Sequence, residues 1–280
     1  MFGTVAMLAA CAQAPATTDN TNSAAATVES ALANPDVNYA IIDDTADLDF
    51  NGAVDAPNIK PIIFDTAPAA FMAGYAAAGY SKTGVVGTYG GSPFPTVTIF
   101  MDGFVDGVNY YNEQKGTAVK SLGWDVTAQT GSFTGGFAAG VESLNLAQGL
   151  IDQNADVLMP VGGPIYQSAV EAIKSSGKEI ALIGVDADLT VTDTTNASLF
   201  LTSVLKGIKV SVSDVVTGAG GGTFDATPYV GTLDNEGVGI AAFHVFESTV
   251  PTTLADELDA IKAGIIDGSI TVESPSSPKK

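Results

Sequence analysis

The sequence predicts an α/β protein, with parallel sheets covered by helices on both faces. Three observations carry that expectation. Apolar runs of strand length alternate with helical stretches along most of the chain. The runs are continuously apolar rather than alternating, as in strands buried on both faces. Several end in polar or glycine positions, at Asp43, Asp65, Gly162-Gly163 and Asp186, which is the carboxyl-end rim where such sheets bind ligands.

Taken in order, 27–33 reads as a short helix stopped by Asn34-Pro35. The runs 39–43 and 59–65 are apolar, strand-length and bounded by turn residues. The Ala-rich stretch 67–79 is helical and 84–89 is a strand. A helix follows over 97–112, where Phe100, Phe104, Val108 and Tyr111 recur at spacings of four, four and three on one face. A second series opens at 124–130 and continues as helix 137–153, strand 156–161, helix 166–175 and strand 180–186. Strand 199–204, a helix near 206–216 and a Gly-rich turn at 218–222 come next. Strands at 229–233 and 238–242 precede a last helix at 254–267.

Composition narrows the function. At 280 residues the chain has room for two domains, and at this size no disulfide or metal staple is needed for a core. Eleven lysines, no arginine and 31 acidic residues give a net charge of −20, which excludes nucleic acid and anionic membrane surfaces as electrostatic partners. One Cys and one His leave no disulfide, no His-pair metal motif and, at His244, no evident nucleophile in a recognisable motif. Gly218–Gly222 lacks the Lys-Ser/Thr of a phosphate loop and reads as a turn.

Two local motifs stand out. Leu8-Ala9-Ala10-Cys11 ends a short apolar stretch and is followed by polar low-complexity sequence. It resembles the lipobox of bacterial lipoproteins, which implies a signal peptide over 1–11, a diacylglyceryl group on Cys11 and a flexible tether over 12–26. The stretch Asp47–Asn58 has the order of an EF-hand loop, with Asp47, Asp49, Asn51 and Asp55 as candidate calcium ligands and Gly52 at the turn. Asn58 stands where that loop carries its bidentate Glu, so an acidic solvated loop is the first reading, any calcium binding is expected to be weak, and no other cofactor is expected.

The stretch from Tyr39 to Val272 resembles the basic membrane protein family of ABC-transporter substrate-binding lipoproteins, which includes purine-nucleoside binders. The resemblance is carried by Ala40-Ile41-Ile42-Asp43, Ala70-Phe71-Met72-Ala73-Gly74 and Ser81-Lys82-Thr83-Gly84. It continues through Phe100-Met101-Asp102-Gly103-Phe104-Val105-Asp106-Gly107-Val108, Gly131-Ser132-Phe133-Thr134 and the run from Ala155 to Gly163. Gly184-Val185-Asp186-Ala187-Asp188, the run from Leu201 to Lys206, Tyr229-Val230-Gly231 and Gly237-Val238-Gly239 complete it, in order.

That resemblance implies a type I periplasmic-binding fold of two doubly wound lobes closing at a hinge. Lobe 1 is expected over 27–118 and 200–226, incomplete at its start, lobe 2 over 119–199 and 227–273, and a tail over 274–280. Asp186 resembles the carboxylate that accepts the ribose hydroxyls, Lys206 the sugar-side lysine and Asp43 the acid on the base edge. Gly162, Gly163 and Tyr166 lie where the family packs an aromatic ring against the purine. The family's opening strand and its Asn- and Phe-bearing turn have no counterpart between Cys11 and Thr27, so weaker binding than in a relative carrying them is expected.

The implied function is a lipid-anchored receptor on the extracytoplasmic face of a bacterial membrane, delivering a nucleoside to an ABC permease. Its alternatives are a surface sensor, a non-binding remnant, and a nucleoside or sugar hydrolase using Asp43 and Asp186.

Overall fold

The computed structural model describes residues 5–9, 21–49 and 51–278. The chain divides into two compact units, Met1–Asp65 with Gly207–Gly237 and Thr66–Lys206 with Val238–Lys279.

The first unit is built on a four-stranded parallel sheet of order β1-β2-β3-β11, from β1 (Val5–Ala9), β2 (Asn38–Ile42), β3 (Ile59–Phe64) and β11 (Tyr229–Gly231). Helix α1 (Thr21–Ala33) packs Ala24, Val28 and Ala31 onto Tyr39, Ile41 and Ile59. Asn58 fixes the helix end, its Nδ2 donating to the carbonyls of Ala31, Asn34 and Val37 at 3.0, 3.2 and 2.8 Å. Helix α7 (Ile208–Gly220) belongs to this unit.

The apolar stretch assigned to a leader contains a strand, β1, paired in parallel with β2. Helix α1 starts at Thr21, inside the segment expected to be tether. Cys11 itself lies outside the described residues.

The second unit carries a six-stranded sheet of order β12-β10-β9-β8-β4-β5. Its strands are β4 (Val85–Gly90), β5 (Lys120–Leu122), β8 (Val157–Val161), β9 (Ala181–Asp186), β10 (Phe200–Lys206) and β12 (Val238–Ile240). All pairings are parallel except β10 with β12. Helices α2 (Ala67–Tyr80), α3 (Pro95–Lys115), α4 (Val141–Asp152), α5 (Tyr166–Ser176), α6 (Leu189–Thr192) and α8 (Leu254–Asp267) complete it. A two-stranded ribbon, β6 (Trp124–Asp125) with β7 (Thr130–Gly131), stands where the second series was expected to open. Helix α4 starts at Val141 rather than 137, because the chain is extended at Gly140.

Strand pairing moves the expected lobe boundaries. β4 pairs with β8 from Val86↔Val157 to Gly90↔Val161, which places 66–118 with the second unit. β10 pairs with β9, so 200–206 joins it as well, while β11 pairs with β3 and takes 227–237 to the first unit.

Helices α2 and α3 pack backbone to backbone. A Cβ on Gly103 would overlap the carbonyl oxygen of Ala67, and one on Gly107 that of Phe71. Asp106, between them, has its carboxyl pushed up to about 6 by burial and by the neighbouring charge of Asp102. The folded value therefore lies above the ordinary 3.8, and the native state holds the proton more tightly than the unfolded chain between those values. Stability should rise as pH falls from 7 towards 5. Asp106→Asn should flatten that dependence and raise the melting temperature at pH 7, read by thermal unfolding at both pH values. No helix of the described residues is long and apolar enough to cross a membrane.

Candidate ligand-binding site

In the second unit the strand order sets out a rim. Reading along the carboxyl ends from β10 to β4, the residues are Lys206, Asp186, Gly162-Gly163 and Gly90-Gly91. Neighbouring ends stand about 4.8 Å apart by sheet geometry.

The β10–β9 end is charged. Lys206 Nζ lies 2.9 Å from Asp186 Oδ1, with the lysine side chain 5% exposed and the aspartate 32%. Register explains the meeting, since Leu205 pairs with Asp186 across the two strands. The ammonium also lies 5.1 Å from the centroid of the buried Phe100 ring, a cation–π contact. Asp186 has φ +70, so its backbone leaves the strand in a left-handed turn, a conformation uncommon outside Gly, Asn and Asp. Two of the expected residues are thus brought together, with one acceptor oxygen of Asp186 facing the cation.

The loop after Asp186 is held by Asp188, which caps α6. Asp188 Oδ1 accepts from Thr190 N and Oγ1 at 3.0 and 2.6 Å, and Oδ2 lies 2.9 Å from His244 Nε2. Burial opposes ionisation of Asp188, but the hydrogen bonds of Thr190 and His244 outweigh it and hold the carboxyl below its ordinary range. The single histidine of the chain therefore pairs with an acid and has no nucleophile among its described partners.

The β8–β4 end is aromatic, and sequence reasoning missed it. The Phe137 ring lies against the rim glycines, so that a Cβ on Gly91 would come within 2.5 Å of it and one on Gly162 within 2.8 Å. Phe94 stacks on Phe137 with centroids 6.1 Å apart and planes 21° from parallel, and Phe94 is 36% exposed. Phe133 flanks the same edge: Gly90 N donates to Ser132 O at 3.0 Å and Thr134 N to Gly90 O at 2.9 Å. The available signal was aromatics embedded in glycine pairs, Gly90-Gly91 and Gly135-Gly136.

Tyr166 does not join the charged pair. Its ring packs edge-on to Phe200 at 5.6 Å and its hydroxyl donates to Asp193 Oδ2 at 3.2 Å, both structural contacts. Gly162 and Gly163 are on the rim, with φ of +148 and +55. Asp43 belongs to the first unit, following β2 with φ +61, its N–H donating to Ile62 O at 2.9 Å.

In the acidic loop, oxygens of Asp47, Asp49 and Asp55 lie within 4.8 Å of one another. The loop's own amides face them: Asn51 N and Gly52 N donate to Asp47, and Leu48 N to Asp55. Asn51 Oδ1 accepts from Ala53 N at 2.8 Å. Asn58, at the last loop position, directs its amide to the end of α1 instead.

Residues 17–268 match the family described as ABC transporter substrate-binding protein, PnrA-like. The chain is similar to basic membrane protein A1 of Borrelia garinii subsp. bavariensis, 28% identical over 244 residues, covering 86% of this chain and 66% of that protein. It is also similar to an ABC transporter nucleoside-binding protein of Lactococcus lactis subsp. cremoris, 25% identical over 262 residues, covering 89% of this chain and 68% of that one. The chain spans about two thirds of the length of the curated relatives it matches. Among solved structures, an ABC transporter solute-binding protein of Aeropyrum pernix superposes with a TM-score of 0.74 at 21% identity, covering 88% of this chain and 73% of that one. That likeness shows the fold, and the α/β periplasmic-binding class expected from the sequence is borne out.

Proposed function

Because the chain belongs to the family of PnrA-like ABC transporter substrate-binding proteins, we propose that it captures a purine nucleoside outside the cytoplasm for delivery to an ABC permease. The family is one of substrate-binding proteins rather than enzymes.

The observation that carries the nucleoside reading is the two-part rim. A charged pair, Asp186 with Lys206, stands at one end and the aromatic group Phe94, Phe133 and Phe137 at the other. The ends are separated by two strand intervals, about 10 Å. A carboxylate accepts two hydroxyl hydrogens, and phenyl faces offer stacking surface to a heterocycle. A ribose on β9–β10 with its base over β8–β4 uses both. Lobe closure, which the resemblance implies, is the proposed capture step, since a ligand shifts the population towards the state it contacts better.

Calorimetry with inosine, guanosine and adenosine should show saturable binding. Free ribose should bind at least about tenfold more weakly, having no ring to stack. Ribose binding as tight as inosine would remove the base from the reading. Absence of any nucleoside binding would favour the sensor or remnant alternative, and release of free base on chromatography would favour a hydrolase.

The lipid anchor on Cys11 is part of the same proposal. Two acyl chains hold a protein stably at a membrane where one does not. Strand β1 and a cleaved leader are competing fates for Val5–Ala9, and the mass of the mature N-terminus decides between them. Cys11→Ser should release the protein to the medium or leave it unprocessed. Unchanged membrane retention of that variant would refute lipidation.

A further inference from the structure

Asp102 on α3 is the one carboxylate among the described residues with no exposed surface. A charge so placed is tolerated when its lone pairs are met by donors. Its donors come from two places outside α3. Trp124 Nε1 donates to Oδ1 at 2.8 Å and Gln129 Nε2 to the same oxygen at 2.7 Å, while Ser274 Oγ donates to Oδ2 at 2.5 Å.

The first two donors come from the β6–β7 ribbon, Trp124 from its open end and Gln129 from its turn. Trp124 opens β6, and Gln129, at φ +54, precedes β7 and also donates to Val126 O at 2.9 Å. The ribbon runs directly into Ser132-Phe133-Thr134, the segment stitched to Gly90. The Trp124 indole meets the Phe133 ring edge-on, centroids 5.9 Å apart and planes at 82°. An unbroken path of contacts therefore joins the buried carboxylate to an aromatic of the rim, from Asp102 through the indole to Phe133.

We propose that Asp102 is a positioning residue for the ligand's aromatic wall, fixing Trp124 and through it the Phe133 ring; this rests on the nucleoside reading above. Asp102 does not touch ligand, because it has no exposed surface. Its two oxygens divide the labour: Oδ1 serves the ribbon and Oδ2 the C-terminal segment, which Ser276 also ties to α3 through Thr98 at 2.7 Å. That division makes the role testable apart from simple support of the fold.

Trp124 is the single tryptophan of the chain, so its emission reports this contact without a label. Inosine affinity and emission are compared in the full chain for wild type, Asp102→Asn, Trp124→Phe, their double variant, Ser274→Ala and Asp186→Asn. Asp102→Asn and Trp124→Phe should each weaken inosine binding about tenfold, the lower end of what one stacking contact contributes. The double variant should be no weaker than either single one, because both remove the same link. Asp102→Asn should also move Trp124 emission to the red and abolish its response to inosine, whereas Ser274→Ala should leave affinity within about twofold.

Equal losses in Ser274→Ala and Asp102→Asn, or additive losses in the double variant, would reduce Asp102 to a support of the fold and overturn the inference. If Asp102→Asn does not fold, Trp124→Phe decides alone, and wild-type affinity in it overturns the inference. Binding that Asp186→Asn abolishes and Asp102→Asn leaves intact removes the inference while the nucleoside reading stands. No inosine binding by the wild type removes both.

Discussion

Gly107→Ala is expected to destabilise the protein by about 3 kcal/mol, at the upper end of overpacking changes. An added methyl there meets the backbone carbonyl of Phe71, which has no flexible end to yield. Helix α2 offers no slack either, since Ala67, Ala69, Ala70, Ala73, Ala76 and Ala77 are all buried. The two helices must move apart, and the buried contacts of Phe71 and Phe104 loosen with them. Intrinsic propensity works in the opposite direction, favouring alanine over glycine in a helix interior by about 1 kcal/mol. Gly149 on α4 isolates that contribution, because a Cβ there meets nothing within 4 Å. Gly149→Ala should therefore stabilise by about 0.5–1 kcal/mol. Urea unfolding of both variants checks the pair, and shifts of the same sign would show that the close approach of α2 and α3 has been misjudged.

The second large effect separates stability from binding at the rim. Asp186→Asn takes away the carboxylate charge that lies 2.9 Å from the Lys206 ammonium, which is 5% exposed. Breaking a buried pair from one side costs about 3–5 kcal/mol, and the partial exposure of Asp186 places this case near or below the lower figure. Lys206→Met should cost far less, because an apolar chain of similar length can lie on Phe100 and the remaining carboxylate reaches water. The double variant should recover most of the stability lost by Asp186→Asn. All three should lose nucleoside binding. Melting temperatures and calorimetry on the same preparations test this, and a double variant that binds inosine would place the site elsewhere.

Legibility followed the range of the interactions involved. β9 was readable because Ala-Leu-Ile-Gly-Val needs burial on both faces, and α8 because its apolar spacing and the Gly268 stop are local signals. Asp186 and Lys206 were singled out by resemblance as separate ligand contacts, and their ion pair follows from the register between β9 and β10, which the sequence does not display. The compact units differ from the expected lobes because β4 pairs with β8, a choice that no local pattern encodes. The contacts of Tyr166 were not legible, because its place at the start of α5 does not say which way the ring turns, towards Phe200 and Asp193. Phe133 and Phe137 were hidden in a glycine-rich stretch whose propensities specify only a loop. Asn58 read as a loop residue because its partners are the carbonyl ends of a helix more than twenty residues earlier.

The discontinuity of the first unit sets a timetable for its synthesis. β2 and β3 leave the ribosome early, yet β11, which covers the free side of β3, is made only after the whole six-stranded sheet but its last strand. At roughly 5–20 residues per second, that side of β3 waits on the order of ten to thirty seconds. An open Ile-Lys-Pro-Ile-Ile-Phe edge over that interval is a template for pairing with other nascent chains. Pro61 withholds one N–H from such a template, and Lys60 adds a charge that β-stacking between identical chains would have to bury. In the finished protein the same lysine changes role, its Nζ donating to the carbonyls of Asp225 and Thr227 at 3.0 and 2.5 Å. The residue that guards the edge while it waits thus becomes the latch that holds the arriving segment in place.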